Sequence, residues 1–297
     1  SFPPSSHGSF AAMGCCQGSS ASQVEAAGAP LKASKAKAPV SKDVIDKKVA
    51  QAKSTRVLAL RECGLKALPA AAVDAEAASL RTVDLTSNWL KALPETIGSW
   101  TGLQSLLCSD NALTELPKAI SQLASLQKLI LSSNKLSTIP AEIALLPKVK
   151  VLQLDSNLLG PRLAADLFSG PLSESLEELD LTGNVLEEVP ESVGSLSKLV
   201  RLVLARNRLT ALPTELGRLA KLQYLDAADN HLSSIPEAII ACPSLNELWL
   251  KGNPVERLQL QAMPGFAEFL ERRKQRLDHK IGANVVGRVD LSVCGLD

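Results

Sequence analysis

One spacing limits what this chain can fold into more than anything else in it. Asparagines at Asn88, Asn111, Asn134, Asn157, Asn184, Asn207, Asn230 and Asn253 recur at one constant step, broken only by the longer one from Asn157 to Asn184, and Cys63 holds the same place a slightly long step before the first. Around each, leucines and their substitutes keep one frame. Leu126 to Pro140 states it most fully as L-Q-K-L-I-L-S-S-N-K-L-S-T-I-P, or L-x-x-L-x-L-x-x-N-x-L-x-x-L-P. Nine units in register mean nine copies of one supersecondary piece, stacked so that each buries its apolar face on its neighbours. A lone unit has too few inward side chains to offset the backbone freedom it loses, so only the stack can fold.

Within a unit the x-L-x-L segment (Val83-Asp84-Leu85, Leu129-Ile130-Leu131, Leu202-Val203-Leu204) alternates with period two and predicts a short parallel strand. After the Asn the chain turns, and an apolar residue plus Pro closes the turn, as in Leu93-Pro94, Leu116-Pro117, Ile139-Pro140, Val189-Pro190, Leu212-Pro213 and Ile235-Pro236. A second apolar pair then faces inward from the convex side: Ile97 with Trp100, Ile120 with Leu123, Val193 with Leu196, Ile239 with Cys242. A buried Asn at each turn satisfies N–H and C=O groups that leave the sheet there, which is a structural task needing no ligand. Cys63, Cys108 and Cys242 stand at inward positions and read as small packing residues.

The chain therefore divides as follows. Residues 1–40, rich in Ser, Ala, Gly, Pro and Lys, read as a disordered arm. Residues 41–54 read as a capping helix, with Ser41 as N-cap and Val44, Ile45, Lys48, Val49 and Ala52 on one face. The nine repeats occupy 55–258. Residues 259–280 form a second capping helix that opens at Met263-Pro264-Gly265-Phe266 and runs to about His279, with Phe266, Phe269, Leu270, Arg273 and Leu277 inward. Its last turns carry Arg272, Arg273, Lys274, Arg276 and Lys280, where cations oppose the helix dipole. The fifth unit carries four extra residues and Gly160, Pro161, Gly170 and Pro171, which predict a bulged convex loop with a helical turn at Ala164 to Phe168, a candidate contact site. In the tail, 281–297, Val286, Val289, Leu291, Cys294 and Leu296 fall on the repeat frame carried on past the ninth unit, so an extra strand beside the ninth, a disordered end and the first strand of a further segment all remain open.

Met13 precedes Gly14-Cys15-Cys16, the arrangement in which a myristoylated Gly sits beside palmitoylatable thiols, although the sixth position is Gly18 and the Ser follows at Ser19. If Met13 is the start, the arm is a lipid anchor, and Lys32, Lys35, Lys37, Lys42, Lys47, Lys48 and Lys53 can meet anionic lipid. A chance Met-Gly in a linker and a solvated helix face are the plain alternatives.

Composition excludes several classes. Net charge is +1, which points to no nucleic acid partner. The six cysteines show neither metal-ligand spacing nor flanking clusters, which favours a reducing, intracellular setting. No run of 18 apolar residues occurs, and the first 30 residues lack the apolar core of a secretory signal. His7, His231 and His279 have no nucleophile at triad spacing, and no phosphate-binding glycine loop is present. Asp180 and Asp226 share a column two strands apart, roughly 10 Å by ladder spacing, with no third ligand for a metal. We expect no enzyme, no cofactor and no metal.

Outward strand positions are free of packing constraints, so they are where a partner is read. The middle column runs Ala59, Asp84, Leu107, Ile130, Gln153, Asp180, Val203, Asp226, Trp249, and its neighbour Val57, Thr82, Ser105, Lys128, Val151, Glu178, Arg201, Tyr224, Glu247. Leu107, Ile130 and Val151, with Lys128 beside them, predict one exposed apolar patch. Tyr224 and Trp249, flanked by Arg201, Arg206 and Asp226, predict a second of the kind that binding hot spots use.

The frame is that of the leucine-rich repeat, and the short unit ending L-P-x-x-I-x-x-L resembles the intracellular Ras-suppressor-like leucine-rich-repeat proteins, including the plant intracellular Ras-group-related type. The resemblance covers about residues 43–280 and extends to layout: a Met-Gly start, a short leading helix, nine or so repeats and a basic terminal helix. It implies a right-handed α/β solenoid, a horseshoe with a parallel concave sheet and helical caps, used as a scaffold in intracellular signal transduction. It carries over no catalytic residues. Partners differ too much among members to carry over; the expected partner is a protein, a signalling protein or small GTPase among the candidates, bound on the concave face by a monomer in the cytoplasm. Two alternatives stand beside this: a lipid-anchored peripheral membrane adaptor, and the recognition module of a larger multidomain signalling enzyme.

Overall fold

An x-L-x-L stretch directs few residues inward before the chain must turn, so its strands are short. The computed structural model describes residues 40–73 and 78–281. Its strands are β1 (Val57–Ala59), β2 (Thr82–Asp84), β3 (Ser105–Leu107), β4 (Lys128–Ile130), β5 (Val151–Gln153), β6 (Glu178–Asp180), β7 (Arg201–Val203), β8 (Tyr224–Asp226) and β9 (Glu247–Trp249). They lie in chain order in one 9-stranded sheet. Every pairing is parallel and the register never slips, from Val57 against Thr82 to Tyr224 against Glu247. The middle residue of each strand is buried. This is the expected leucine-rich-repeat α/β solenoid, with the repeat leucines as one continuous core.

Each coil returns on the convex side through a tight turn. A Pro in extended conformation introduces 3-10 turns at Glu95–Ser99, Lys118–Gln122, Ala141–Leu145, Glu191–Ser195 and Thr214–Arg218, and Pro236 introduces a short helix α2, Glu237–Ile240. Proline suits these places because its fixed φ is pre-organised and no N–H is lost from a sheet. The expected convex pairs, Ile97 with Trp100 through Ile239 with Cys242, are fully buried.

The asparagines hold the coils together. Asn157 Nδ2 donates to Leu131 O of the preceding coil and to Leu154 O of its own, both at 3.0 Å, while its Oδ1 accepts the Leu136 amide at 3.0 Å. The same three bonds recur at Asn88 and Asn253. To aim the amide inward, the residue before it turns left-handed: Ser87, Asp110, Ser133, Ser156, Arg206 and Asp229 have φ of 52° to 57°, and Gly183 and Gly252 take the same place; Glu62, before Cys63, takes the same conformation at φ 55°. This conformation costs most residues energy, and the repeated three-bond bridge sustains it.

The fifth unit departs from the expected helical turn at Ala164 to Phe168. Its insertion forms plain turns followed by a 3-10 turn at Pro171–Glu174. Leu163, Leu167, Phe168 and Leu172 are buried, so the extra residues bulge outward while their apolar members plug the core. Gly170 is required there, because a Cβ would stand 2.4 Å from Ala144 O.

Helix α1 (Lys42–Thr55) covers the first coil with Val49 and Ala52 buried and Ile45 packed beside them. Val44, expected inward, is 40% exposed, since the contact stripe is narrower than the apolar one. At the other end the single expected helix is two: α3 (Arg257–Gln261) and α4 (Phe266–Ile281). Between them come Pro264 and Gly265, the latter at φ 81°, which breaks a helix. Phe266, Phe269 and Arg273 are buried. Arg272 donates to Ile240 O, Cys242 O and Leu245 O at 3.0 to 3.4 Å, so its charge serves the end of α2 more than that of its own helix. The side chains of Leu277 and His279, the expected disordered arm with Gly14, Cys15 and Cys16, and the tail's expected strand lie outside the described residues.

Candidate protein-binding surface on the concave sheet

Outward positions on neighbouring strands stand about 4.8 Å apart, close enough for long side chains to cover one another. The first expected patch shows the effect. Ile130 is only 7% exposed, so it is no exposed anchor: Leu107 and Gln153 flank it in register on either side. Leu107 and Val151 are half-buried, and Lys128 alone of this group is exposed. Val203 is buried as well.

The second group is brought together. The Arg201 guanidinium lies 3.8 Å over the Tyr224 ring. Tyr224 OH donates to Asp226 Oδ2 at 3.3 Å, and Asp226 Oδ1 accepts the Ala228 amide at 3.0 Å. Trp249 is the register partner of Asp226. Arg201 is exposed, while Tyr224, Asp226 and Trp249 are half-buried, so the cluster is braced and still reachable. Arg206 stands apart on the turn beyond, 3.7 Å from Asp229. Burial raises the Tyr224 pKa, with Asp226 adding to the effect and Arg201 opposing it, so the phenol remains a neutral donor. The indole Nε1 of Trp249 is buried without a hydrogen-bond partner among the described residues.

Burial raises the Asp180 pKa most, opposed by bonds from Thr182 and reinforced by Asp155. Asp180 lies on β6 and Asp226 on β8, and among the described residues no three His, Cys, Asp or Glu side chains meet as a metal site would need. Burial likewise pushes the Cys108 thiol far up, which makes it an inert packing group. Among the described residues no helix is long and apolar enough to cross a membrane.

One surface feature escaped the sequence reading. Trp89 and Leu158, 41% and 53% exposed, each follow a ladder Asn, at a position the frame leaves unspecified. An open cleft of about 770 Å³ also lies beside the fifth-unit insertion, lined by Ala165, Ser169, Glu191, Glu215 and Arg218 among others. The inserted Gly and Pro residues were its one signal in the sequence.

A leucine rich repeat family model matches residues 78–136, 101–159, 174–232 and 197–255, together more than half of the chain. Among solved structures, the plant peptide hormone receptor RGFR1 in complex with RGF2 is similar at 28% identity and TM-score 0.57, over 66% of this chain and 32% of the receptor. The chain thus spans about a third of that receptor's length. An internalin (inlF) from Listeria monocytogenes matches at 21% identity and TM-score 0.54, over 64% of this chain and 53% of its own, a likeness of fold. No curated protein sequence matches.

Proposed function

The chain belongs to the leucine-rich-repeat family, and from that premise we propose that it is a non-catalytic scaffold of intracellular signalling that binds a protein partner on its concave sheet. Modules of this family generally bind proteins, and the receptor it resembles is itself seen in a complex. The observation that carries the reading is the cluster of Arg201, Tyr224, Asp226 and Trp249. An Arg stacked on a Tyr, tied to an acid and set beside a Trp, offers apolar area with preset polar bonds, at outward positions that the core does not use. Lys128, Leu107 and Val151 form the outer part of the footprint. Within the family, the short unit ending L-P-x-x-I-x-x-L supports the Ras-suppressor-like branch.

The test is proximity labelling of the full chain in its native cell, followed by titration of the purified partner. Tyr224→Ala and Trp249→Ala each weaken binding by about 10-fold or more, the range of hot-spot truncations, while the unfolding midpoint moves little. Loss of stability with affinity intact per folded molecule rejects the concave site.

Met13-Gly14-Cys15-Cys16 supports one addition, a lipid anchor that holds the same scaffold at a membrane surface. The scaffold itself acts in the cytoplasm as a monomer in this reading.

A further inference from the structure

The inserted residues of the fifth unit do more than lengthen a loop. Leu163, Leu167 and Phe168 anchor the insertion in the core, so that exposed Ala165 and Ser169 stand beside them as a fixed wall. Against that wall lie the entries to the next two convex turns, Val189-Pro190 and Leu212-Pro213, and together they line the open cleft of about 770 Å³. Ligand pockets span roughly 300–1,000 Å³. Pro190, Ala211 and Pro213 give the lining its apolar area, and its charged groups are the carboxylates of Glu188, Glu191 and Glu215 and the guanidinium of Arg218.

These charges are not balanced within the fold. Arg162 holds Glu188 at 2.7 Å. The Glu215 side chain is only 18% exposed, yet the cation beside it is Arg218 at 4.0 Å, whose own side chain is 74% exposed. Glu191 is exposed and has no ion pair among the described residues. Gly194 brings the two coils together here: a Cβ on it would stand 2.6 Å from Glu215 Cβ, so Glu215 packs directly on the turn that Glu191 begins. Ser192, on the same turn, has a buried hydroxyl oxygen with no hydrogen-bond partner among the described residues. A hydroxyl left in that state costs free energy until a donor or acceptor reaches it.

We propose that this cleft is a second protein-binding site, which takes an extended segment of a basic partner and seats one Lys or Arg side chain against Glu191 and Glu215. A carboxylate already largely removed from water and poorly compensated gains most from a cation brought to it, because its desolvation is part of the folded state. A charged head on an aliphatic stem suits the mixed lining, with the stem along the prolines and the head at the carboxylates. Arg218 leaves Glu215 at little cost, being an exposed partner at the limit of an ion pair. An extended backbone also carries N–H and C=O groups for Ser192 Oγ to bond, and side chains for the apolar area, which a free polyamine lacks. Because the wall is anchored in the core, no segment has to be ordered first, and the cost of binding stays low. The cleft lies on the convex side and does not depend on a partner at the concave cluster.

Amide NMR of the full chain decides it, with mixtures of blocked heptapeptides that are random except for a central Arg, Gln or Glu. The central-Arg mixture shifts the amides of Ser192, Ser195 and Ala211 saturably. The central-Gln mixture binds about 10-fold more weakly, as loss of a charge-assisted bond requires, and the central-Glu mixture leaves those amides in place. Glu215→Gln weakens the central-Arg mixture about 10-fold and exposed Glu191→Gln about 3-fold, whereas Tyr224→Ala on the concave side changes nothing. Cleft amides that no mixture moves overturn the proposal, and so does binding that both Glu variants leave intact. Equal affinity for the central-Arg and central-Gln mixtures, or for spermine, overturns it as well, the last because the cleft is then a bare acidic patch. Cleft amides that move with protein concentration alone put a second copy there and reject the basic partner.

Discussion

Asn157→Leu removes one amide from the middle of the stack while keeping the number and branching of side-chain heavy atoms; the two methyls are bulkier than the amide, so the packing cost is separated from hydrogen bonding by a second Asn→Leu change at a buried site. Asn157 is 4% exposed. Without it the Leu136 N–H loses the Asn157 Oδ1 acceptor, its one partner among the described bonds, whereas Leu131 O keeps Asn134 Nδ2 and Leu154 O keeps Asn184 Nδ2. An orphaned buried donor costs about 1–3 kcal/mol and each of the two amide N–H groups, which between them reach Leu131 O, Leu154 O and, at 3.2 Å, Asp155 O, about 1 kcal/mol, giving roughly 3–5 kcal/mol. For a domain of this size that lowers the unfolding temperature by on the order of 10 °C.

Asn246→Leu is the matched control. Asn246 is also buried, at 8%, but among the described residues its Oδ1 has no partner and its Nδ2 makes one local bond to Ser244 O at 2.9 Å. It should cost about 1 kcal/mol or less. Urea unfolding followed by circular dichroism compares the two. Equal losses, or an Asn157→Leu variant within about 1 kcal/mol of the parent, refute the view that bridging between coils, and not burial alone, is why the frame demands Asn.

Two further outcomes are expected. Because burial raises the Asp180 pKa, the folded state holds that proton more tightly than the unfolded chain. Stability from this group therefore falls as pH rises from its ordinary value through the raised one, and Asp180→Asn should be the more stable form at neutral pH, an advantage that vanishes in acid; melting curves showing the reverse order at neutral pH reject this. Expressed from Met13, the chain should incorporate myristate and fractionate with membranes, Gly14→Ala should release it, and replacing Cys15 and Cys16 should weaken retention because one acyl chain binds only marginally; a cytosolic parent carrying no myristate ends that idea.

The period made the fold legible because every coil meets the same neighbour on both sides, so one local solution recurs and its spacing is visible. What the frame does not encode is how far outward side chains cover each other. Ile130 and Leu107 occupy equivalent positions in the pattern, yet one is buried and the other half-buried. The Arg201 and Tyr224 stack was legible as residue types in one column, because register alone brings them together. Trp89 was not, because the position after the ladder Asn is set neither by the sheet nor by the core. The left-handed residue before each Asn was likewise hidden, since Ser, Asp and Arg fill it as readily as Gly.

Departures from the repeat are most informative where the neighbour changes kind. Asn88 reaches back to Leu60 O and accepts from the Cys63 and Leu65 amides, so an Asn is useful only when a coil precedes it. The first coil has none. Cys63 replaces Asn there, its carbonyl accepts the Val40 amide at 3.2 Å, and Lys48 approaches its thiol at 3.7 Å while bonding Ala59 O. The cap thus supplies from a helix what the ladder supplies from a coil.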